Sequence, residues 1–460
     1  KYHCKLSKFF GVMVLSCIVA KFGGSSLASA EQFKKVKHIL SLDSRRLFIV
    51  PSAPGKRHAQ DEKITDLLIQ CYNDNMLGYS IDDSFAKIET RFLEIAGQLG
   101  LDLNIAAKLA EIKQNILGGA SIMYTESRGE YLNGLLLAKY LGYHFFDPTR
   151  AIYFSDSGRF DSELSNRVLA ESLSQLENAV IPGFYGRKQN GQIQTFSRGG
   201  SDITGAVVAR ALCADVYENW TDVSGFLMAD PKLVERPLEI RELTYKELRE
   251  LSYMGANVLH EDAIYPVQRA RISTNIRNTN YPEHPGTRIL PSMAEQRPNK
   301  HVITGIAGKA GFDIITIEKS MMNSEVGFGM RVLQALYEHN LPFEHIPTGI
   351  DSLSVVVNHK DFEPHEESLC TRISELAQPD SIKIHRDIAM VATVGRAMSA
   401  RCDTAARLFQ ALHEENISIQ TIVQGSSRLS LIVGVESDRF ADAIRAIYHE
   451  FVNRGEKHGQ

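Results

Sequence analysis

Residues 9–30 read FFGVMVLSCIVAKFGGSSLASA, and two structures compete for them. As a secretory signal the stretch has a basic start at Lys1, Lys5 and Lys8, an apolar run, and the small-residue ending Ala28, Ser29, Ala30. As a folded segment it is a buried strand that ends at Lys21, turns at Gly23 and Gly24, and enters a helix. The apolar run is too short to span a bilayer, and it contains Gly11, Ser16 and Cys17. Cleavage after Ala30 would also discard Lys21 and both glycines. The strand reading requires the rest of the chain to supply a sheet.

Apolar, β-rich runs recur at 45–53 (RRLFIVPSA), 178–184 (NAVIPGF), 214–223 (ADVYENWTDV) and 271–278 (RISTNIRN). Continuous runs of this kind suit strands buried on both faces of a parallel sheet. Helical patterns lie between them. After KFGGSS, Ser29 and Gln32 have capping-box spacing, and Phe33, Val36, Ile39 and Leu40 mark one helical face. The expected class is α/β with a mostly parallel open sheet flanked by helices. The chain is long enough for about three domains at ~150 residues each. Fifty-one basic against fifty-five acidic residues give a net charge of −4, which argues against a nucleic-acid or anionic-membrane partner. Cys4, Cys17, Cys71, Cys213, Cys370 and Cys402 form no CxxC pair and read as reduced thiols of a cytoplasmic protein. No HExxH and no zinc cluster occurs among the histidines.

The proline-rich stretch 278–300 reads as a boundary, with a linker at 291–300. Beyond it lies an internal repeat. ALYEHNLPFEHIPTGIDSLSVVV (335–357) aligns without gaps to ALHEENISIQTIVQGSSRLSLIV (411–433), 76 residues on. From 331 to 357, eleven of twenty-seven positions are identical to their partners. Each copy runs helix, strand, turn at a glycine (Gly349, Gly425), strand. Upstream strands fit 312–320 and 387–395, and helices follow at 364–377 and 437–452. A closing strand is clear only for the first copy, at 381–385. A period of this length suits two small α+β domains in tandem, not a solenoid.

Four motifs carry chemistry. In KFGGSS, glycines admit main-chain N–H groups to phosphate oxygens, a helix start favours an anion, and Lys21 adds a cation. GxxxxGK[ST] is absent, so this is no Walker loop; a plain strand–helix turn remains open. In SRGGSD (197–202), Arg198 could grip a carboxylate, while Asp202 could cap the following helix or reach Mg2+. In ESRGEYLNG (126–134), taken as a helix start, Ser127 and Glu130 have capping-box spacing, so Glu130 is either a cap or a carboxylate for a substrate ammonium. In WTDVSGFLMADPKLV (220–234), Thr221, Asp222, Asp230 and Lys232 could meet a nucleotide, or form an ordinary Asp-Pro turn.

Together, KFGGSS, FIVPSAPG, SRGE, IPGFYG, SRGGSD, WTDVSGFLMADP and GANVLH resemble, in order, the aspartokinases of the amino-acid kinase family. The proline linker and two ACT-like (βαββαβ, ferredoxin-like) units then follow. The resemblance implies a catalytic domain over 17–290 and ACT domains over 301–385 and 386–460. The two would interleave, with 451–455 completing one of them. Residues 1–16 have no family counterpart and are an extension.

The resemblance also implies residue roles. Lys21 stabilises the transferring phosphate, and Gly23, Gly24 and Ser25 line the phosphate site. Ser52, Thr65, Glu130, Phe184, Arg198 and Ser201 surround L-aspartate, with Glu130 on its amino group and Arg198 on a carboxylate. Asp202 holds Mg2+. Thr221, Asp222, Lys232, Asn257 and Val258 meet ATP. The family's GAKVLHP is GANVLHEDAI here, so Asn257 replaces a lysine, and Leu227 stands where a tyrosine is usual. The implied reaction converts L-aspartate and ATP to 4-phospho-L-aspartate. An amino-acid effector, lysine and in addition threonine, would meet Met322, Ser324, Gly327, Phe328, Glu344, Ile350 and Asp351 in the first ACT unit, and a homodimer would form through paired ACT units.

Two other readings are weighed. An acetylglutamate-kinase-like enzyme is disfavoured by the ACT pair and by Glu130 with Arg198, which suit a free amino acid. An amino-acid sensor with a decayed kinase domain draws support from Asn257 and Leu227 alone. A fused homoserine dehydrogenase is not expected, since too few residues follow 455.

Overall fold

A computed structural model describes residues 16–197, 199–256, 261–291 and 301–454, with the backbone alone for 261 and 262. Contacts divide the chain into two units. The first holds an eight-stranded sheet. Its order is Glu242–Thr244, Thr287–Leu290, Ser273–Asn278, Val216–Thr221, Ile18–Phe22, Arg46–Pro51, Ala179–Val180, His144–Phe145. Every pairing with a register given is parallel except that of 273–278 with 287–290.

Strand β1 (Ile18–Phe22) sits near the middle, and all five of its residues are buried. Over residues 18–22 the opening stretch is therefore a strand whose apolarity is core burial; residues 1–15, with the rest of the apolar run and nearly all of the expected extension, lie outside the described residues. Strand β2 (Arg46–Pro51) lies on one side of it, and the strand Val216–Thr221 on the other. Helix α1 (Ala30–Ser41) follows the glycine turn. The Ser29 side chain accepts from the Gln32 N–H, and Phe33, Val36, Ile39 and Leu40 are its buried face together with Ala30. Between β2 and the sheet's far edge stand four helices, Ile64–Met76, Asp82–Gln98, Ile105–Leu117 and Ile122–Leu141. Their apolar faces form one core cluster with Ala20, Phe22 and Ile49 of the central strands.

The helix at 122–141 departs from expectation. It starts at Ile122 with Ser121 as its cap, so Ser127 and Glu130 lie in its interior and form no capping box. The start signal is Ser121, five residues before ESRGE and just past the turn at Gly118 and Gly119.

The second unit takes Leu227–Ile240, Lys246–Asn257 and the chain from Glu295 on. Its five-stranded antiparallel sheet has the order Ser352–Asn358, Gly305–Glu318, Ser381–Val394, Ser430–Glu436, Thr421–Val423. The repeat is visible here as helix Phe328–Glu338 with strand 352–358, and helix Thr404–Glu414 with strand 430–436. Two strands of fourteen residues each, 305–318 and 381–394, run through both copies and pair along their whole length. Residues 305–310 pair with 389–394, so the second copy is completed by the start of the first copy's strand. The expected completion by 451–455 does not occur over its described part: residues 449–453 form a π turn. Helices Phe328–Glu338 and Glu366–Ala377 close the first copy's core over Ile315, Ile317, Val355 and Val357.

Candidate active site

In open α/β sheets, ligands bind beyond the carboxyl ends of the strands. Here those ends carry the glycine turn, Lys21 and three polar strand exits. Lys21 pairs in register with Asn219. It is only 8% exposed, and its Nζ lies 2.5 Å from Asp202 Oδ1. Asn219 Nδ2 donates to the same oxygen at 2.9 Å, and Tyr217 OH donates to the Asp202 carbonyl at 3.1 Å. Asp202 stands in the first turn of helix Gly200–Ala211, whose start is Gly199 in the left-handed region without a side-chain cap. The carboxylate is therefore not a cap; it holds the lysine.

The turn is built by close main-chain approach. The Gly23 N–H donates to the Trp220 carbonyl at 2.9 Å, and the Gly55 N–H donates to the Gly24 carbonyl at 2.8 Å. A Cβ on Gly55 would stand 2.6 Å from the Gly24 carbonyl carbon, so a side chain at 55 would break the turn. Ser25 opens a 3-10 turn that ends at Leu27. The Ser52 N–H donates to the Phe22 carbonyl at 3.0 Å, which ties the exit of β2 to that of β1.

Glu130 reaches this edge from helix 122–141. A Cβ on Gly129 would lie 2.8 Å from the Ala53 Cβ, so the helix rides directly on the β2 exit. Glu130 is 6% exposed. The Ala53 N–H donates to its carboxylate, yet desolvation outweighs that bond and pushes the carboxyl up to about 8. Its Oε2 is buried with no hydrogen-bond partner among the described residues. A buried carboxylate left half-bonded costs free energy, and an incoming cation would recover it.

On the other side, Ser201 packs on Gly183, where a Cβ would lie 2.5 Å from Ser201 Oγ. Phe184 has φ 80°. Its N–H donates to Thr204 Oγ1 at 3.0 Å, and its ring covers Gly200. Thr65 is the second residue of helix Ile64–Met76, which starts where the Ile64 N–H meets the Pro54 carbonyl. Thr221 ends the strand 216–221 and Asp222 follows it; the Asp222 carbonyl accepts from Asn278 Nδ2 at 3.1 Å. Lys21, Gly23, Gly24, Ser52, Glu130, Ser201, Asp202 and Thr221 thus lie on the strand exits of the first unit or on helices packed there. Lys232 belongs to the second unit. Arg198, Asn257 and Val258 lie outside the described residues. Sequence reasoning missed Asn219 and Gly55. The first is found only through its register with Lys21, the second only through its contact with Gly24.

One carboxylate suits Mg2+, which keeps waters and phosphate oxygens as its other ligands. Asp202 spends Oδ1 on Lys21 and Asn219, leaving Oδ2 to serve. Among the described residues no cluster of three or more His, Cys, Asp or Glu could hold a metal by itself.

In the second unit, the effector candidates fall largely on one loop. Met322–Ser324 is a 3-10 turn. The Met321 N–H donates to Asp351 Oδ1 at 2.8 Å, and the Asn323 N–H donates to the Ile350 carbonyl at 3.2 Å. Gly327, φ 86°, starts the helix at Phe328. Glu344 stands apart, its N–H on the Val356 carbonyl.

The amino acid kinase family model matches residues 16–278, more than half of the chain. Aspartokinase 3 of Bacillus subtilis is 39% identical over 452 residues, which cover 94% of this chain and 98% of that protein. The chain belongs to the aspartokinases of the amino acid kinase family. An ACT-domain model matches residues 391–451. The crystal structure of Clostridium acetobutylicum aspartate kinase shares 49% identity and a TM-score of 0.88, covering 94% of this chain and all of that one. Escherichia coli aspartokinase III, solved with aspartate and ADP and again with lysine and aspartate, shares the fold at 23% identity, with TM-scores of 0.73 and 0.69; each match covers at least 94% of this chain and 99% of the other. As an aspartokinase the chain is a kinase with an ACT-type second unit. Among the described residues, no helix is long and apolar enough to cross a membrane.

Proposed function

We propose that the chain transfers the terminal phosphoryl group of ATP to the β-carboxylate of L-aspartate, giving 4-phospho-L-aspartate and ADP. A β-carboxylate oxygen forms the new bond to phosphorus while the bond to the ADP oxygen breaks. The nucleophile is already an anion, so no general base is required, and catalysis is positioning and charge neutralisation. Lys21, held by Asp202 at the exit of β1, meets the charge that spreads over the transferring oxygens. The Gly24 and Ser25 N–H groups of the KFGGSS turn, with Thr221 and Asp222, receive the nucleotide. Mg2+ on Asp202 would neutralise phosphate charge. Glu130 takes the substrate ammonium; Ser52, Thr65, Phe184, Ser201 and Arg198 frame the rest of the amino acid. The observation that carries this reading is the buried, unpaired Oε2 of Glu130 on the same strand edge as Lys21.

The reaction is the first step toward lysine, threonine and methionine. Feedback acts through the second unit, by lysine first and threonine second, at the 322–328 and 350–351 loop. A homodimer forms through the same unit, whose surface exposes Met321, Val326, Met330, Tyr337 and Ile350; apolar surface of this extent favours a second copy.

The test is ADP release with and without L-aspartate, with hydroxylamine trapping the acyl phosphate as a hydroxamate. Aspartate-dependent release with hydroxamate is expected. Aspartate binding without release would overturn the kinase reading in favour of a sensor. Repeating the assay with millimolar lysine or threonine tests the effector; undiminished turnover with both rejects it.

A further inference from the structure

One turn beyond Glu130 on the same helix, Asn133 is fully buried. Its Nδ2 donates to the Ser52 carbonyl at 2.6 Å, and its Oδ1 has no hydrogen-bond partner among the described residues. Glu130 repeats the arrangement one residue along the facing chain. The Ala53 N–H donates to its carboxylate, and Oε2 is unpaired. Positions i and i+3 of a helix are neighbours, with Cβ atoms about 5–6 Å apart. Two buried acceptors therefore stand side by side against the exit of β2. Glycines hold the helix close here: a Cβ on Gly134 would come within 2.5 Å of the Pro182 ring, as one on Gly129 would meet Ala53. Buried acceptors are ordinarily bonded, and a fold gains nothing by leaving two together unless a donor arrives between them.

We propose that Asn133 is a second receptor for the substrate's ammonium group, its Oδ1 accepting one N–H while Glu130 Oε2 accepts another. The proposal rests on the reading of the site given above. An ammonium carries three donors and no acceptor, so two acceptors on one helix face match it. The neutral amide adds a bond without a second negative charge, which would make burying Glu130 costlier. The pair makes the site selective for an amino diacid over the same diacid without the amino group, because the latter leaves both acceptors unpaired.

The test uses the full chain, with L-aspartate as substrate and succinate as competitive inhibitor. Asn133→Ala is expected to raise the aspartate KM about tenfold, the weight of one hydrogen bond to a charged group. The succinate inhibition constant should move less than about twofold, within the ordinary effect of a remote change, and the ATP KM should not move. Asn133→Asp keeps an acceptor while losing the Ser52 contact, and is expected to retain the preference for aspartate over succinate. Equal losses for aspartate and succinate in Asn133→Ala, or an unchanged aspartate KM, overturn the proposal and leave Asn133 as a tether of the Ser52 main chain. Should Asn133→Ala not fold, Asn133→Asp decides: a lost preference overturns the proposal. Glu130→Gln separates the two readings. If it raises the aspartate KM while Asn133→Ala does not, only the role of Asn133 falls; if neither does, the amino-acid site itself is misplaced.

Discussion

Glu218 and Glu130 are both buried carboxylates, 4% and 6% exposed, yet their surroundings are finished differently. Glu218 accepts from Arg46 Nη2 at Oε1 and from Arg46 Nε and Trp220 Nε1 at Oε2. Arg277 adds a second guanidinium at 3.5 Å and stacks on the Trp220 ring. Glu130 has only main-chain donors, the Ala53 N–H and its own, and its Oε2 has no partner among the described residues. A complete shell marks a carboxylate that holds the sheet together; an incomplete one marks a carboxylate kept for a ligand. One strand serves both purposes. Along 216–221, Glu218 and Trp220 face the ion-pair network, while Tyr217 and Asn219 face Asp202 and Lys21, because side chains alternate across a strand.

The comparison breaks hardest at Arg46. Arg46→Met leaves Glu218 short of its main partner and is expected to cost about 3–5 kcal/mol of stability. Urea unfolding read by Trp220, the chain's one tryptophan, measures it, and Glu218→Leu in the same chain should restore part of the loss. On the other face, Lys21→Ala should lower kcat by roughly 10²–10³, about the loss of one preorganised donor. Near-normal turnover in that variant would remove Lys21 from the transition state. Glu130→Gln should raise the aspartate KM by about 10–100-fold and change kcat less; initial rates against aspartate concentration decide it.

The same carboxylate should also show in the pH dependence. The free Glu130 carboxyl is pushed up to about 8 by desolvation, and the ammonium needs it ionised. kcat/KM for aspartate should therefore rise about tenfold per unit as pH climbs toward 8, then level off. Stability moves the opposite way. The carboxyl holds its proton in the fold above the unfolded value of 4.5, so its favourable contribution is complete below that value and is lost as pH rises through about 8. Glu130→Gln should flatten both curves. A wild-type kcat/KM that is flat across pH 6 to 8 would show that Glu130 is ionised before substrate arrives.

Local patterns made much of this legible. The strands at 18–22, 46–51, 216–221 and 273–278 fall inside apolar runs visible in the sequence, and Ser29 marks its helix start. What stayed hidden depends on partners distant in sequence. Asn219 is an unremarked residue of a strand until its register sets it beside Lys21. Ser127 and Glu130 carry the spacing of a cap, but a helix interior can show the same spacing by chance; the deciding cap, Ser121, lies just beyond two glycines. The repeat located helices and strands in both copies, but it compares each copy with the other. It therefore shows 381–385 and 387–395 as separate strands and misses that they are one, 381–394, which closes one copy and opens the next.

The division into two units follows the fold, not the order of the chain. Between residues 226 and 246 the backbone leaves the first unit, returns to lay down the edge strand Glu242–Thr244, and leaves again. The outlying segments bury Met228, Leu248, Leu251 and Met254. They are anchored in the second unit by the Ile306 N–H on the Met228 carbonyl at 2.7 Å and by Thr304 Oγ1 on Glu247 at 2.5 Å. The second unit is therefore not a detachable module. A chain cut after 290 would keep Leu251 but lose Gly305, against which it packs, together with both hydrogen bonds, and it should aggregate where the whole chain stays dispersed.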